Sequence, residues 1–213
     1  MQTFSILGDS ISTFSKFIPN YFRTFYPVPG YDVTDVNMTW WKLLENNTSL
    51  KLSVNNSFSG SRVSETGNDA PKSVAFINDK RLDLLKGDII IVFGGTNDFG
   101  QAEDQASFTT FENSYLYLID KLKEKLPNSK LYFCTPLQRT DFALDEENSQ
   151  GWTQFDMANT IKELVSKANV NLIDLFSYPI QKDDGLLQDG IHPTQKGMKI
   201  IYDITKKAIL GAN

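Results

Sequence analysis

One cysteine and one histidine are all the chain has of the two side chains that most often hold transition metals. With Cys134 alone, no internal disulfide can form. With His192 alone, a centre needing several imidazole ligands is excluded. No CxxC pair, HExxH helix or Asp-rich calcium loop occurs either, so no metal is expected. Positive charge is also short: 21 Lys and Arg against 26 Asp and Glu give a net charge of −5. A surface of that sign repels phosphate backbones, which speaks against nucleic acid and anionic membranes as partners. No apolar run reaches the roughly 18–20 residues that span a bilayer. The GxGxxG fingerprint is missing after every β-rich run, and Gly94-Gly95-Thr96 lacks the lysine and spacing of a phosphate loop, so no cofactor is expected. The stretch Met1 to Leu7 lacks a basic region and reads as a strand rather than a secretory signal, which makes a cytoplasmic location the expectation, although a trimmed chain would look the same.

What remains suits a folded domain. The chain has 213 residues, 40% of them hydrophobic, enough for a sizeable core, and no repeat or linker divides it, so 1–213 is read as one domain. Short β-rich runs at 3–8, 51–55, 88–93, 130–134 and 170–175 alternate with longer amphipathic stretches. Helices are expected at 38–45 with Asn37 as N-cap, at 71–85 with Pro71 in the first turn, and at 108–126, 154–168 and 194–210. The run Ile89-Ile90-Ile91-Val92 has no polar alternation, the mark of a strand buried on both faces of a parallel sheet. The rhythm predicts an α/β fold, a three-layer α/β/α sandwich around a parallel sheet of about five strands. Ligands in such folds bind beyond the carboxyl ends of the strands.

Polar clusters fall at those ends. Gly8-Asp9-Ser10 follows the first strand, Ser59-Gly60-Ser61 the second, and Gly94-Gly95-Thr96-Asn97-Asp98 the third. Asp189-Gly190-Ile191-His192-Pro193 lies in the loop before the last helix. A serine after a strand more often caps a helix than attacks a substrate, and a lone histidine is more often a surface or capping residue than a base. Each cluster alone is a weak signal, but four in order at strand ends are not.

On these elements the chain resembles the SGNH (GDSL-type) hydrolase superfamily, across most of its length. The resemblance implies a flavodoxin-like sheet and a serine esterase. It assigns Ser10 as nucleophile, His192 as the base and Asp189 as the partner that fixes the histidine tautomer. It assigns the oxyanion hole to the backbone N–H groups of Ser10 and Gly60 and to the Asn97 side chain, and gives Asp9 and Asp98 structural roles.

Arg62 could bind a substrate carboxylate, support its loop or simply be exposed. The loop 17–36 is rich in aromatic residues and could wall the site, with Tyr26 and, from elsewhere, Trp152 as candidate substrate contacts; the same rings could instead pack the loop onto the core. Cys134 reads as a small buried hydrophobe. The expected activity is hydrolysis of carboxylic esters through an acyl-enzyme on Ser10, with a small-molecule ester as partner and an acetylated carbohydrate or similar small molecule as the favoured substrate. A lysophospholipase or thioesterase for longer chains is the runner-up, and a non-catalytic binding module on the same fold is the reading from another class.

Overall fold

The structure, a computed structural model, describes residues 1–66, 71–100 and 108–211. Five strands form one parallel sheet: β1 (Thr3–Gly8), β2 (Lys51–Ser57), β3 (Ile89–Phe93), β4 (Lys130–Cys134) and β5 (Asn171–Ile173), in spatial order β2-β1-β3-β4-β5. Six α-helices are seen among the described residues: α1 (Trp40–Asn46), α2 (Asp79–Leu82), α3 (Thr96–Gly100), α4 (Phe108–Lys125), α5 (Gln154–Lys167) and α6 (Gln195–Leu210).

Period-two alternation divides the core. Ile89, Ile91 and Phe93 of β3 pack with Trp40 and Trp41 of α1 and Met198 and Ile201 of α6. Ile90 and Val92 point the other way, against Phe111 and Leu118 of α4 and Ile161 of α5. With all five β3 residues buried, the strand needs helices on both sides, and the three-layer α/β/α architecture follows.

The strand order carries the site. The chain passes from β1 to β2 on one side and then to β3 on the other, so neighbouring connections leave the sheet in opposite directions and open a crevice at its carboxyl edge. Gly8 stands opposite both Ser57 and Phe93. The loops beginning at residues 9, 58 and 94 therefore start level with one another.

Two expected helices are different. Within 71–85 only a 3-10 turn, Lys72–Val74, and the single turn α2 are helical. The stretch between them is drawn out because the Phe76 N–H donates to the Arg62 carbonyl, at 2.9 Å, which pairs this segment with the loop after β2. Asn37 is not the cap of α1. Asp35 caps a 3-10 turn, Val36–Met38, by accepting from the Asn37 N–H at 2.8 Å, and α1 begins after Thr39.

Candidate active site

Gly8 ends β1 where only a glycine fits: a Cβ there would lie 2.6 Å from the Ser57 hydroxyl oxygen and 3.0 Å from the Ser12 Cβ. The requirement is one of space, not of an unusual φ. Asp9 then caps a 3-10 turn, Ser10–Ser12, accepting from the Ile11 N–H at 3.0 Å. Capping thus falls to Asp9, which leaves the Ser10 hydroxyl available to another partner.

That partner is His192, whose Nε2 lies 3.0 Å from Ser10 Oγ. Its Nδ1 lies 2.7 Å from Asp189 Oδ2. A carboxylate only accepts, so Nδ1 carries the proton and Nε2 is free to accept from the serine. The other oxygen, Asp189 Oδ1, accepts from the backbone N–H groups of Ile191 at 3.0 Å and His192 at 2.7 Å. These bonds fold 189–192 into a tight turn that presents the imidazole. Partial burial pushes the Asp189 carboxyl up, but the bonds from His192 and Ile191 and the histidine's charge outweigh it and bring the group down to about 2. Burial pushes His192 below its ordinary value, against the pull of Asp189, and Arg139 adds to the lowering. The imidazole is held neutral near pH 7, the form able to accept a proton.

Gly60 has φ +83°, and the Arg23 guanidinium covers the place a Cβ would take, its nearest nitrogen 2.0 Å away. The Arg23 Nε donates to the Ser59 carbonyl at 2.8 Å, so the loop is held from above. Asn97 donates one amide proton to the Ser61 carbonyl at 3.0 Å and keeps a second. Asp98, fully buried, accepts from the Val63 and Ser64 N–H groups at 2.8 and 3.1 Å and from the Ser64 hydroxyl at 2.8 Å. Burial raises its carboxyl and these bonds pull it back. A cavity of about 300 Å³ is bordered by Ser10, His192, Gly60 and Asn97, together with Phe25, Ser59, Thr96, Gly100, Arg139 and Ile191.

The structure therefore brings Ser10, His192, Asp189, Gly60 and Asn97 together. Three other candidates stand elsewhere. Tyr26 is fully buried and spends its hydroxyl on the Pro193 carbonyl at 2.8 Å, so it cannot reach a ligand in the cavity. Trp152, also buried, packs among Phe99, Phe108 and Phe111 between the sheet and α4. Arg62 is 3% exposed and does not border the cavity; it donates to the Thr66 hydroxyl at 3.4 Å and its charge acts on the Asp98 carboxylate. Cys134 is buried, and burial pushes its thiol up, which makes it inert.

Phe25 and Tyr31 come from the aromatic loop 17–36 that the sequence offers as a wall of the site, whereas residue-by-residue reading missed Arg139. Phe25 stacks on His192, ring centroids 3.6 Å apart and planes within 7°. Tyr31 donates to Asp189 Oδ2 at 3.0 Å. Arg139, paired with Asp141, reaches the Thr96 carbonyl at 3.0 Å, and its neighbour Thr140 donates its N–H to the Gly190 carbonyl at 2.9 Å. The aromatic richness of 17–36 was the available signal for the first two; nothing local marked the third.

A family model described as GDSL-like lipase/acylhydrolase matches residues 2–209. Among solved structures, a candidate GDSL-like lipase from Bacteroides uniformis ATCC 8492 has 30% identity and a TM-score of 0.77, with 100% of this chain and 97% of that one covered. A second from Bacteroides ovatus ATCC 8483 has 29% identity and a TM-score of 0.76, covering 100% and 99%. An acetyl xylan esterase shares the fold at 20% identity and a TM-score of 0.70, covering 97% and 99%. No curated protein matches by sequence.

Proposed function

This chain belongs to the GDSL-like lipase/acylhydrolase family and is an ester-bond hydrolase, and from that premise we propose that it works through an acyl-enzyme on Ser10 and removes small acyl groups, acetyl above all, from a carbohydrate or similar polar molecule. The observation that carries the catalytic part is the unbroken chain of contacts from Ser10 Oγ to His192 Nε2 at 3.0 Å and from His192 Nδ1 to Asp189 Oδ2 at 2.7 Å. Ser10 Oγ attacks the ester carbonyl as His192 takes its proton, and Asp189 stabilises the imidazolium. His192 then hands the proton to the departing alcohol. Water, deprotonated by the same imidazole, attacks the acyl-serine and frees the acid.

Negative charge on the tetrahedral oxygen would be met by the Ser10 and Gly60 N–H groups, which have no acceptor among the described residues, and by the second amide proton of Asn97. The preference for a small, polar substrate draws support from the cavity, about 300 Å³, where among the described residues the polar side chains of Ser10, Ser59, Thr96, Asn97, Arg139 and His192 stand beside the apolar ones of Phe25 and Ile191. A long acyl chain needs more apolar surface than that.

The test is p-nitrophenyl acetate hydrolysis by the protein beside folded Ser10→Ala, followed by the octanoate ester and an acetylated oligosaccharide. A loss of about three orders of magnitude in the variant is expected, with acetate preferred over octanoate. Equal slow rates for both proteins would remove Ser10 from the chemistry, and a preference for octanoate would remove the small-acyl reading.

A further inference from the structure

The oxygen of Asp189 that holds His192 holds a second donor as well. Tyr31 Oη donates to Oδ2 at 3.0 Å, while His192 Nδ1 donates to the same atom at 2.7 Å. Tyr31 also meets the edge of Phe25, with centroids 5.3 Å apart and planes at 85°, and Phe25 lies flat on the imidazole. One short segment of the loop 17–36 thus touches both the histidine ring and its carboxylate.

Attachment of this segment does not depend on those two contacts. Phe25 N–H donates to Thr13 Oγ1 at 2.8 Å, and Thr13 Oγ1 in turn donates to the Ser10 carbonyl at 2.9 Å. Tyr26 holds the Pro193 carbonyl. Asp32 accepts from the Gln195 N–H at 3.0 Å, at the start of α6. Anchors therefore lie on either side of Tyr31 in the chain, and they tie the loop both to the nucleophile turn and to the end of the histidine loop.

We propose that Tyr31 is a positioning residue for the base, its hydroxyl fixing the Asp189 carboxylate and moderating how strongly that carboxylate stabilises a protonated His192. The inference rests on the reading of His192 as the base. A donor on Oδ2 draws negative charge toward itself, so less is left for the imidazolium. The histidine then stays neutral, and able to accept the Ser10 proton, further into the acid range. Phe25 complements this by confining the ring to one plane. The other charged or titratable groups near the His192–Asp189 pair are Arg139 after β4, itself paired with Asp141, and Tyr26 and Asp32 of the same loop.

The sole histidine of the chain makes the test clean, because its imidazole C–H resonances titrate without overlap from another. In the full-length protein, Tyr31→Phe should raise the NMR pKa of His192 by about half a unit. The acid limb of kcat/KM on p-nitrophenyl acetate should move up by the same amount, with kcat on the plateau down about three- to ten-fold and KM steady. An unmoved titration and an unmoved acid limb would overturn the proposal, whether or not kcat or Tm falls, since a structural role alone lowers those. His192→Asn serves as the control. If it retains activity, the base assignment itself has failed; if it is inactive while Tyr31→Phe titrates as wild type, only the role of Tyr31 is lost.

Discussion

The two sides of the cavity are built in opposite ways. On the side of β1, β2 and β3, charged side chains sit in the core, and most of the hydrogen bonds of Arg81 and Asp98 go to the backbone. Arg81 is 1% exposed, and its guanidinium donates to the carbonyls of Gly8, Asn56 and Val74 and to the side chains of Asn56 and Ser61. It also lies over the Phe76 ring at 4.7 Å. Burial brings it down to about 9, partly offset by the charge of Asp9. Together Arg81 and Asp98 pin the turn that holds Ser10 and the loop that holds Gly60. On the side of α6, Asp189 is 33% exposed, and its bonds are confined to its own turn and one tyrosine. The contrast fits the two tasks. Donors for a developing oxyanion work best when they need not rearrange, whereas a base that loads and unloads a proton needs a path to solvent.

The sharpest way to break the comparison is to remove one charge from each side. Asp189→Asn should lower kcat by about 10²–10⁴, because an amide cannot fix the tautomer or stabilise the imidazolium. The melting temperature of that variant should fall only modestly, since the group is partly exposed, an amide oxygen can still accept from the Ile191 and His192 N–H groups, and its loss leaves no buried orphan. A smaller effect on activity but a larger one on folding is expected from Arg81→Met. It strips donors from several buried acceptors at once, at a cost of about 3 kcal/mol or more, which for a chain of this size lowers Tm by about 6–12 °C. Calorimetry and p-nitrophenyl acetate kinetics on both variants decide the matter. Should Asp189→Asn lose the stability and Arg81→Met only the rate, the division of labour argued above is reversed.

The clusters at 8–10, 94–98 and 189–192 were legible in the sequence because each is short, local and attached to a strand end or helix start, and the order of strands and helices around them was legible because β3 is apolar throughout. What escaped depends on contacts far apart in the chain. Tyr31 and Asp189 are separated by 158 positions, Tyr26 and Pro193 by 167, and Arg81 reaches back 73 positions to Gly8. No pattern within a loop says which of its rings meets a histidine that distant. The same limit explains the misread helix at 71–85. Phe76 is buried from a drawn-out backbone bonded to residue 62, so the apolar spacing that suggested a helix serves a tertiary pairing instead. The aromatic composition offers Tyr26 and Trp152 either as substrate contacts or as packing, and their burial decides for packing.

The smallest effect sharpens the comparison by titration. Asp9, beside Ser10 on the buried side, is pushed up to about 7 by burial and, less strongly, by Asp98, against the Ile11 N–H and the charge of Arg81. Its Oδ2 has no hydrogen-bond partner among the described residues. A carboxyl raised in the fold keeps a proton that the unfolded chain releases near 3.8. Its contribution to stability is therefore complete below pH 3.8 and is lost as pH rises through 7. Asp189 runs the other way, contributing above 3.8 and losing its share only as pH falls through about 2. His192, lowered by burial, costs stability only below its ordinary value of 6.5. Between pH 6.5 and 8, then, Asp9 alone of these three titrates, and Asp9→Asn, which can still accept from Ile11, removes that titration. The Tm of the variant measured against wild type should rise from pH 5 to about pH 7 and level off above it. A difference that stays constant over that range would mean that the Asp9 carboxylate is already charged at pH 5, and that the buried side tolerates its charges as easily as the exposed side does.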